Sequence, residues 1–380
     1  MSRGEKTVIN NVRVFNGTAL TEPTTVVIEG RFIGNDASNA DKTIDGAGGV
    51  LIPGLIDSHV HVLKETHLQK LLHHGVTTAL DMAMYPAERI PEMRSYPDMP
   101  EIKTAGVPLS KAGSVHSCVL PLPPESLHVK TEEAAEWVQK RIAEGSDYIK
   151  IIADVPGPDQ KTMNAVVAEA HKHGKKVVAH AASYAPFNMA LDAGVDIVTH
   201  LSLDKAVDSV MAEKMVETGA IAVPTLCMMK ETSKDLPMSD VAPMLFKPKT
   251  LHAIIKNKRN GHGKHTYANA EASIATLYHA GVPILAGTDC HEEGKSIFDV
   301  PHGESMHREM EFLVKAGLSN IEVLQAATSL PAKYFRLEDR GVIEEGKRAD
   351  VVLLREDPTL DIRATRSISR VWLGGVEVSG

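Results

Sequence analysis

The chain has 380 residues, enough for one large domain or two smaller ones, and 43% of them are hydrophobic, enough for a complete core. The formal net charge of −8 lacks the basic excess of a nucleic-acid-binding protein. No secretory signal or membrane span is recognisable, and the three cysteines are widely spaced without a CxxC motif. We therefore expect a cytoplasmic protein that binds neither nucleic acid nor membrane.

The two ends of the chain share one pattern. Residues 7–50 alternate apolar and polar side chains in short runs separated by glycines, which predicts small antiparallel strands with hairpin turns. The same pattern returns after residue 341. We expect residues 1–53 and 341–380 to pair into one small β-sandwich domain.

Between these ends, apolar runs alternate with helical stretches that end in glycine. After a first strand ending in His59 and His61, strands are predicted at 77–81, 102–106, 148–152, 176–180, 196–200, 220–224 and 282–289. Helices are predicted at 65–74, 86–95, 160–173, 185–193, 205–218, 248–280, 304–317 and 319–328, with another capped by Thr131. Residues 109–130 are predicted to form a loop over the site. Eight βα units favour a (β/α)8 TIM barrel over 54–340, and an open doubly wound sheet is the alternative.

Residues with metal-binding or catalytic chemistry stand at the ends of the predicted strands. His59 and His61 point the same way because side chains alternate along a strand. Later strands end in Lys150, His180, His200 and Asp289. These ends converge on one face of a (β/α)8 barrel, and imidazoles grouped with a carboxylate predict a metal site.

Structural roles remain open for the same residues. Lys150 could reach the barrel rim or pair with a carboxylate. Asp289, in Gly287-Thr288-Asp289, could belong to a turn or cap a helix. His180 and His200 could be buried histidines with satisfied hydrogen bonds.

Several motifs resemble the amidohydrolase superfamily. They are 53–61 (PGLIDSHVH), 148–151 (YIKI), His180, His200, 287–289 (GTD), 324–328 (LQAAT) and 341–352 (GVIEEGKRADVV). The lysine on strand four makes the chain most similar to the binuclear group of prolidases, ochratoxinase and imidazolonepropionase-related enzymes. The sequence departs from the prolidase-like members at Ala79-Leu80-Asp81, where an Arg-Asp pair is common, and at 113–116 (GSVH), where Gly-Gly-His is frequent.

The resemblance implies a ligand set and a reaction. The implied metal ligands are His59, His61, carboxylated Lys150, His180, His200 and Asp289. They would hold two divalent cations, expected to be Zn²⁺, with a CO₂-derived carbamate on Lys150 between them. A metal-bridging hydroxide would attack an amide or peptide carbonyl, and Asp289 would act as general base and then general acid.

The substrate is expected to be a small molecule, an N-acyl amino acid or a dipeptide-like compound. Candidate substrate contacts are His116, Tyr184, Lys205 and His291. Lys205 could instead be a solvated lysine at a helix start, and Tyr184 could cover the barrel edge. His291 and His302 are placed behind the ligands or at the mouth. His73, His74, His252, His262 and His265 are expected at the surface. Hydrolysis of a cyclic amide or imidazolone, deamination, and a catalytically silent barrel scaffold are the alternatives. Barrels of this type often form homo-oligomers.

Overall fold

The computed structural model describes residues 5–234, 265–292 and 300–378. In chain order its strands are β1 Lys6–Val14, β2 Thr24–Glu29, β3 Phe32–Gly34, β4 Lys42–Asp45, β5 Val50–Pro53, β6 Leu55–Val60, β7 Val76–Asp81, β8 Glu101–Thr104, β9 Ile149–Ile152, β10 Val177–His180, β11 Ile197–Thr199, β12 Ile221–Val223, β13 Val351–Leu354, β14 Ile368–Leu373 and β15 Val376–Val378. The predicted alternation of strands and helices along the middle of the chain is confirmed over most of its length.

The α-helices are α1 Glu65–His73, α2 Arg89–Ser95, α3 Val115–Val119, α4 Pro124–Leu127, α5 Ala134–Ala143, α6 Gln160–Lys172, α7 Tyr184–Ala193, α8 Ser209–Thr218, α9 Leu226–Thr232, α10 Tyr267–His279, α11 Glu304–Lys315, α12 Asn320–Ala326 and α13 Ser329–Tyr334. Short 3₁₀ helices cover Thr131–Glu133 and Ile362–Arg366. Within these described segments, none has the length and apolar character required to cross a lipid bilayer.

Several predicted helix boundaries are wrong. Thr131 lies inside a 3₁₀ turn, and α5 begins only after it. The helix predicted from 205 begins at Ser209, because the side chain of Asp208 accepts a hydrogen bond from Met211 N and caps it there. Residues 109–130 contain α3 and α4 as well as loop. The predicted helical residues 248–264 lie outside the described residues.

Strands from both chain ends share one eight-stranded sheet, in the order β15-β14-β13-β5-β1-β2-β3, with β4 also paired to β1. Near the N-terminus the prediction of antiparallel strands is wrong in part, because β1 pairs parallel with both β4 and β5. The two ends meet where β5 pairs antiparallel with β13. An apolar cluster that includes Ile9, Ile28, Leu51 and Trp372 packs on this sheet. The sandwich packing and the domain boundaries stay predictions.

The middle of the chain forms two parallel sheets, β6-β7-β8 and β9-β10-β11-β12. Isolated parallel bridges link Leu109 to Ile151, Ala222 to Ile284 and Val60 to Cys290. The eighth predicted strand, 282–289, is not a regular strand. Pro283 has no N–H to donate, and Asp289 has a φ of 56°, so an extended ladder cannot continue.

One apolar cluster collects side chains from both parallel sheets. It includes Ile56 of β6, Leu80 of β7, Val178 of β10, Ile197 of β11, Ile221 of β12 and Leu285. A larger cluster fills the space between the strands and the helices around them. The strand ends that carry the predicted site residues are therefore fixed by packing on two sides.

Candidate metal centre

Asp289 lies against three of the predicted histidine ligands. Its Oδ1 is 3.3 Å from His59 Nε2 and 3.1 Å from His61 Nε2, and its Oδ2 is 3.8 Å from His200 Nδ1. His59 and His200 are almost fully buried, while His61 is partly exposed. Two histidines from the end of β6, one from the end of β11 and the Asp289 carboxylate thus meet at one point, as the sequence predicts.

Asp57 and Thr288 hold the two sides of this group together. The Asp57 carboxylate accepts hydrogen bonds from the backbone N of His59 at 3.2 Å, from the backbone N of Thr288 at 3.0 Å and from Thr288 Oγ1 at 2.8 Å. Asp289 N donates to the carbonyl of His59 at 2.7 Å. Side-chain hydrogen bonds therefore replace the regular strand pairing that 282–289 lacks. Neither Asp57 nor Thr288 was among the site residues predicted from the sequence.

A second group forms beside the first. His116 Nδ1 is 2.7 Å from Asp154 Oδ2, and the His116 ring centroid is 4.3 Å from that of His180. The His180 ring in turn lies 4.3 Å from the His200 ring. The chain thus brings His180 and His200 together as predicted, and Asp154, which no sequence pattern marks, joins them through His116.

Lys150 is buried near both groups. Its side chain is 4% exposed, and its Nζ donates to Thr199 Oγ1 at 3.1 Å, next to His200 in sequence. Within the described residues no carboxylate lies within 4 Å of Nζ in an ion pair, so pairing with a carboxylate is not observed there. Burial lowers the pKa of Lys150 to about 7, against the opposing effect of Asp289 and Asp81. The Lys150 side chain therefore does not extend into solvent.

Burial also sets the charge of the histidines. It lowers the pKa of His59 to about 3, with a further contribution from Lys150, and it lowers the pKa values of His180 and His200 well below the usual range. Burial opposes ionisation of Asp289, but His59, His61 and His200 outweigh it and hold its pKa well below the usual range. Neutral imidazoles and an ionised carboxylate are the states that bind a metal.

The backbone at this point adopts conformations that favour glycine. His200, Thr225 and Asp289 have φ values of 73°, 47° and 56°. Such residues cost about 1 to 3 kcal/mol each and cluster at functional sites. Thr225 also contacts the site directly, since its Oγ1 is 2.7 Å from His200 Nδ1. The sequence carries no signal for this strain because none of the three residues is glycine.

The donors fit a metal. Nitrogen or oxygen atoms of His59, His200 and Asp289 lie within 4.8 Å of one another, and so do those of His116, Asp154 and His180. His59 Nδ1 is a buried polar atom without a hydrogen-bond partner. Imidazole nitrogens and carboxylate oxygens at protein strand ends are typical zinc ligands, whereas a buried cluster of this kind is costly to keep without a cation.

The predicted substrate contacts Tyr184 and Lys205 lie against each other, whereas His291 and His116 lie beside the histidines described above. Lys205 Nζ lies 3.6 Å from the centre of the Tyr184 ring, and the Tyr184 hydroxyl donates to Asp208. His291 Nδ1 is 3.1 Å from the carbonyl of Asp289, and its ring centroid is 6.4 Å from that of His61. His116 touches the site itself, as described above.

The remaining histidines are only in part where the sequence predicts them. His302 stacks on His67 with centroids 3.9 Å apart, and its Nε2 is 3.0 Å from the carbonyl of His61, so it lies behind the ligands. His73 is exposed, but His74 and His265 are half-buried, and the His74 ring lies 5.5 Å from buried His307. Their placement at the surface is therefore wrong. His252 and His262 lie outside the described residues.

Residues 50–378 match the sequence profile of the Amidohydrolase family. The chain belongs to this family. It is a hydrolytic enzyme that acts on C–N bonds, in a family that depends on metal, and its His/Asp group could hold such an ion. The family assignment favours an enzyme over the catalytically silent scaffold.

Individual relatives are distant. Ochratoxinase from Aspergillus niger is 24% identical over 418 residues, covering 90% of this chain and 80% of the ochratoxinase. Adenine deaminase 2 from Shouchella clausii is 26% identical over 378 residues, covering 92% of this chain but 56% of the deaminase. A crystal structure of a Xaa-Pro dipeptidase with methionine in its active site has a TM-score of 0.81 at 23% identity, covering 99% of this chain and 100% of the dipeptidase. The amidohydrolase fold of this chain is therefore shared with solved structures.

Proposed function

We propose that this amidohydrolase is a binuclear enzyme that cleaves an amide or peptide C–N bond in an N-acyl amino acid or dipeptide-like substrate. The observation that carries the proposal is the contact of the Asp289 carboxylate with His59, His61 and His200, next to His180 and buried Lys150. The isolated parallel bridges at the edges of the two parallel sheets and the shared apolar cluster support a closed (β/α)8 barrel around this centre.

The resemblance to the amidohydrolase superfamily implies two sets of ligands. His59, His61 and Asp289 would hold one cation, His180 and His200 the other, and Lys150 would lie between them. When bound, divalent cations, expected to be Zn²⁺, would polarise the scissile carbonyl and lower the pKa of a water molecule.

Lys150 is proposed to join the ligand set as a carbamate. A neutral buried amine can attack CO₂ with its Nζ lone pair, forming an N–C bond and releasing one proton, which leaves a carbamate anion. The side chain is buried, donates to Thr199 Oγ1 and has no ion-pair partner among the described residues. A positive charge would be poorly solvated there, whereas an anion beside four imidazoles and two cations would be stabilised.

Asp289 is proposed to move the proton. With Oδ1 directed at His59 and His61, Oδ2 is the oxygen that can accept a proton from the attacking water. Water oxygen forms the new C–O bond, the C–N bond breaks, and Oδ2 returns the proton to the leaving nitrogen. The low pKa of Asp289 keeps the carboxylate ionised before this transfer.

Lys205 is proposed to hold the carboxylate of the substrate. It stands over Tyr184, and Asp208 lies 3.9 Å away, so substrate would have to compete with that carboxylate. Replacing Lys205 with Met should raise KM for substrates with a free carboxylate and leave kcat nearly unchanged. An unchanged KM would remove Lys205 from the substrate site.

A second candidate function is deamination, or hydrolysis of a cyclic amide or imidazolone. It is favoured by the similarity to adenine deaminase 2, whose name describes the removal of an amino group, a reaction that also breaks a C–N bond. The two candidates separate in one experiment. Metal analysis should find two ions per chain, and a screen should find turnover of N-acyl amino acids or dipeptides. One ion per chain together with ammonia release from aminopurines would favour deamination.

A further inference from the structure

His116 and Asp154 form a pair at the edge of the metal centre, and the reaction outlined above gives it no role. His116 comes from α3, in the 109–130 segment, while Asp154 follows β9 and His180 ends β10. His116 Nδ1 lies 2.7 Å from Asp154 Oδ2, and Asp154 is 8% exposed. One ligand-type atom from each of the three residues lies within 4.8 Å of the others.

The hydrogen bond to Asp154 orients the His116 ring. An ionised carboxylate only accepts, so Nδ1 carries the proton and donates it to Asp154. In a neutral imidazole the lone pair is then on Nε2. A histidine that ligates a metal usually donates its other ring N–H to a carboxylate in this way, which fixes both tautomer and ring direction.

The ring of His116 extends a row of imidazoles. The His116 and His180 centroids are 4.3 Å apart with the planes at 74°, and those of His180 and His200 are 4.3 Å apart at 64°. The ring contacts therefore run from His116 through His180 to His200. Three imidazoles with a fourth position left open are a ligand set used by catalytic zinc.

The segment that carries His116 is held in place by its own contacts. Ser114 is fully buried, and its Oγ accepts from Ser117 N at 3.1 Å and contacts Ser110 Oγ at 3.2 Å. Ser110 N donates to the carbonyl of Ser126 at 2.7 Å. His116 is therefore presented by an ordered turn, as a ligand must be if little entropy is to be lost on binding.

We propose that His116 is a third imidazole ligand, with His180 and His200, of the second cation, and that Asp154 is the positioning residue that orients it. The proposal rests on the proposed binuclear function. His116 would then bind the metal, and not the substrate as was predicted from the sequence. The 109–130 segment would contribute a ligand to the metal centre.

The test is a titration of metal-free protein with Co²⁺ and with Zn²⁺, followed by calorimetry and, for Co²⁺, by visible absorption. Wild type should bind two ions. His116→Gln should weaken the second ion about 10- to 100-fold and change its Co²⁺ spectrum, and Asp154→Asn should weaken it less, in line with losses at orienting partners. The first ion should bind as in wild type. His128→Gln, an exposed histidine of the same segment, is the matched control and should change nothing.

Each outcome decides between the proposals. Unchanged affinity for the second ion in His116→Gln, with or without lower turnover, overturns the role of His116 as a ligand and leaves the binuclear function standing. If wild type binds one ion only, the binuclear function fails, and the effect of His116→Gln on that ion alone decides whether His116 is a ligand. Thermal unfolding of each metal-free variant shows whether it is folded, and Asp154→Asn supplies the same information should His116→Gln fail to fold.

Discussion

The strand ends around Asp289 bury titratable side chains together, whereas the sheet built from the two chain ends buries apolar ones. At the first place His59, His200, Lys150 and Asp289 are enclosed, with strained backbone at His200 and Asp289. At the second, side chains such as Ile9, Leu51 and Trp372 form an apolar core. Apolar packing stabilises the terminal sheet, whereas the buried titratable side chains around Asp289 lower the stability of the fold unless a bound cation offsets the cost of burying them. Substitutions at the two places should therefore act on different properties.

The largest effect on turnover is expected at Asp289. Asp289→Asn keeps the shape of the side chain and an oxygen towards the histidines, but it cannot accept the proton. Turnover should fall about a thousandfold or more, as general acid–base catalysis contributes ~10² to 10⁴, while metal content stays largely intact. Steady-state kinetics with metal analysis on the same sample tests this. Activity retained in Asp289→Asn would show that another group moves the proton.

The next largest loss of turnover is expected at Lys150. Lys150→Gln removes the proposed carbamate, so about one ion per chain should be lost, and turnover should fall at least about a hundredfold because a bound cation supplies several kcal/mol. Lys172→Gln on α6, whose side chain is 71% exposed, is the matched control. Metal-free wild type should regain activity faster with Zn²⁺ plus bicarbonate than with Zn²⁺ alone. Reactivation independent of bicarbonate would argue against the carbamate.

Substitution of Thr288 should have a smaller effect on the site, because Thr288 acts only by positioning the proposed metal ligands. Thr288→Val keeps the volume but removes the hydrogen bonds to Asp57 and from Cys290 N. We expect about 10-fold weaker metal binding and a loss of ~1 to 3 kcal/mol in the free energy of unfolding. Thr288→Ser, which keeps the hydroxyl, should recover most of both. Equal losses in the two variants would indicate that packing, and not the hydroxyl, is responsible.

In the terminal sheet, Trp372 should matter for stability alone. Trp372→Ala empties a site that is 1% exposed and should lower the free energy of unfolding by about 3 to 5 kcal/mol. Turnover per folded molecule should be unchanged, since the cluster around Trp372 contains none of the proposed ligands. Chemical denaturation and kinetics at low temperature measure the two quantities. A large fall in kcat would show that the sheet is coupled to the site.

His307 is a buried titratable residue away from the proposed ligands, and it tests whether burying such a group without a cation lowers stability. Burial lowers its pKa from 6.5 to about 3, and its Nδ1 is 3.0 Å from Thr365 Oγ1. The unfolded chain therefore binds a proton more readily, so stability should fall as the pH drops from 6.5 towards 3, by up to ~1.4 kcal/mol per pH unit. Above 6.5 this contribution is constant.

His307→Asn keeps a donor for Thr365 and cannot titrate. Its unfolding free energy should depend less on pH than that of wild type over that interval, with no effect on turnover at neutral pH. Parallel pH dependence in the two proteins would mean that His307 is protonated as easily in the folded state as in the unfolded one.

The position of the candidate metal centre could be predicted from the sequence because it depends on local patterns. Alternation along β6 puts His59 and His61 on one side, and apolar runs mark the strands that carry Lys150 and His180 and the strand that His200 follows. The segment around Asp289 was misjudged as a strand, because hydropathy does not reveal a backbone φ of 56° or the effect of Pro283. Asp57, Asp154 and Thr288 were missed because their partners lie in distant parts of the chain.

Side-chain periodicity and turn chemistry were enough to predict the order of strands and helices, the apolar faces that pack them and the residue types near the strand ends. Only the tertiary structure decided that β1 pairs parallel with β4 and β5, that Asp57 joins β6 to Thr288, and that His116 reaches His180 with Asp154 behind it. Those contacts depend on distances between segments that are far apart in the chain, and no local pattern encodes such a distance.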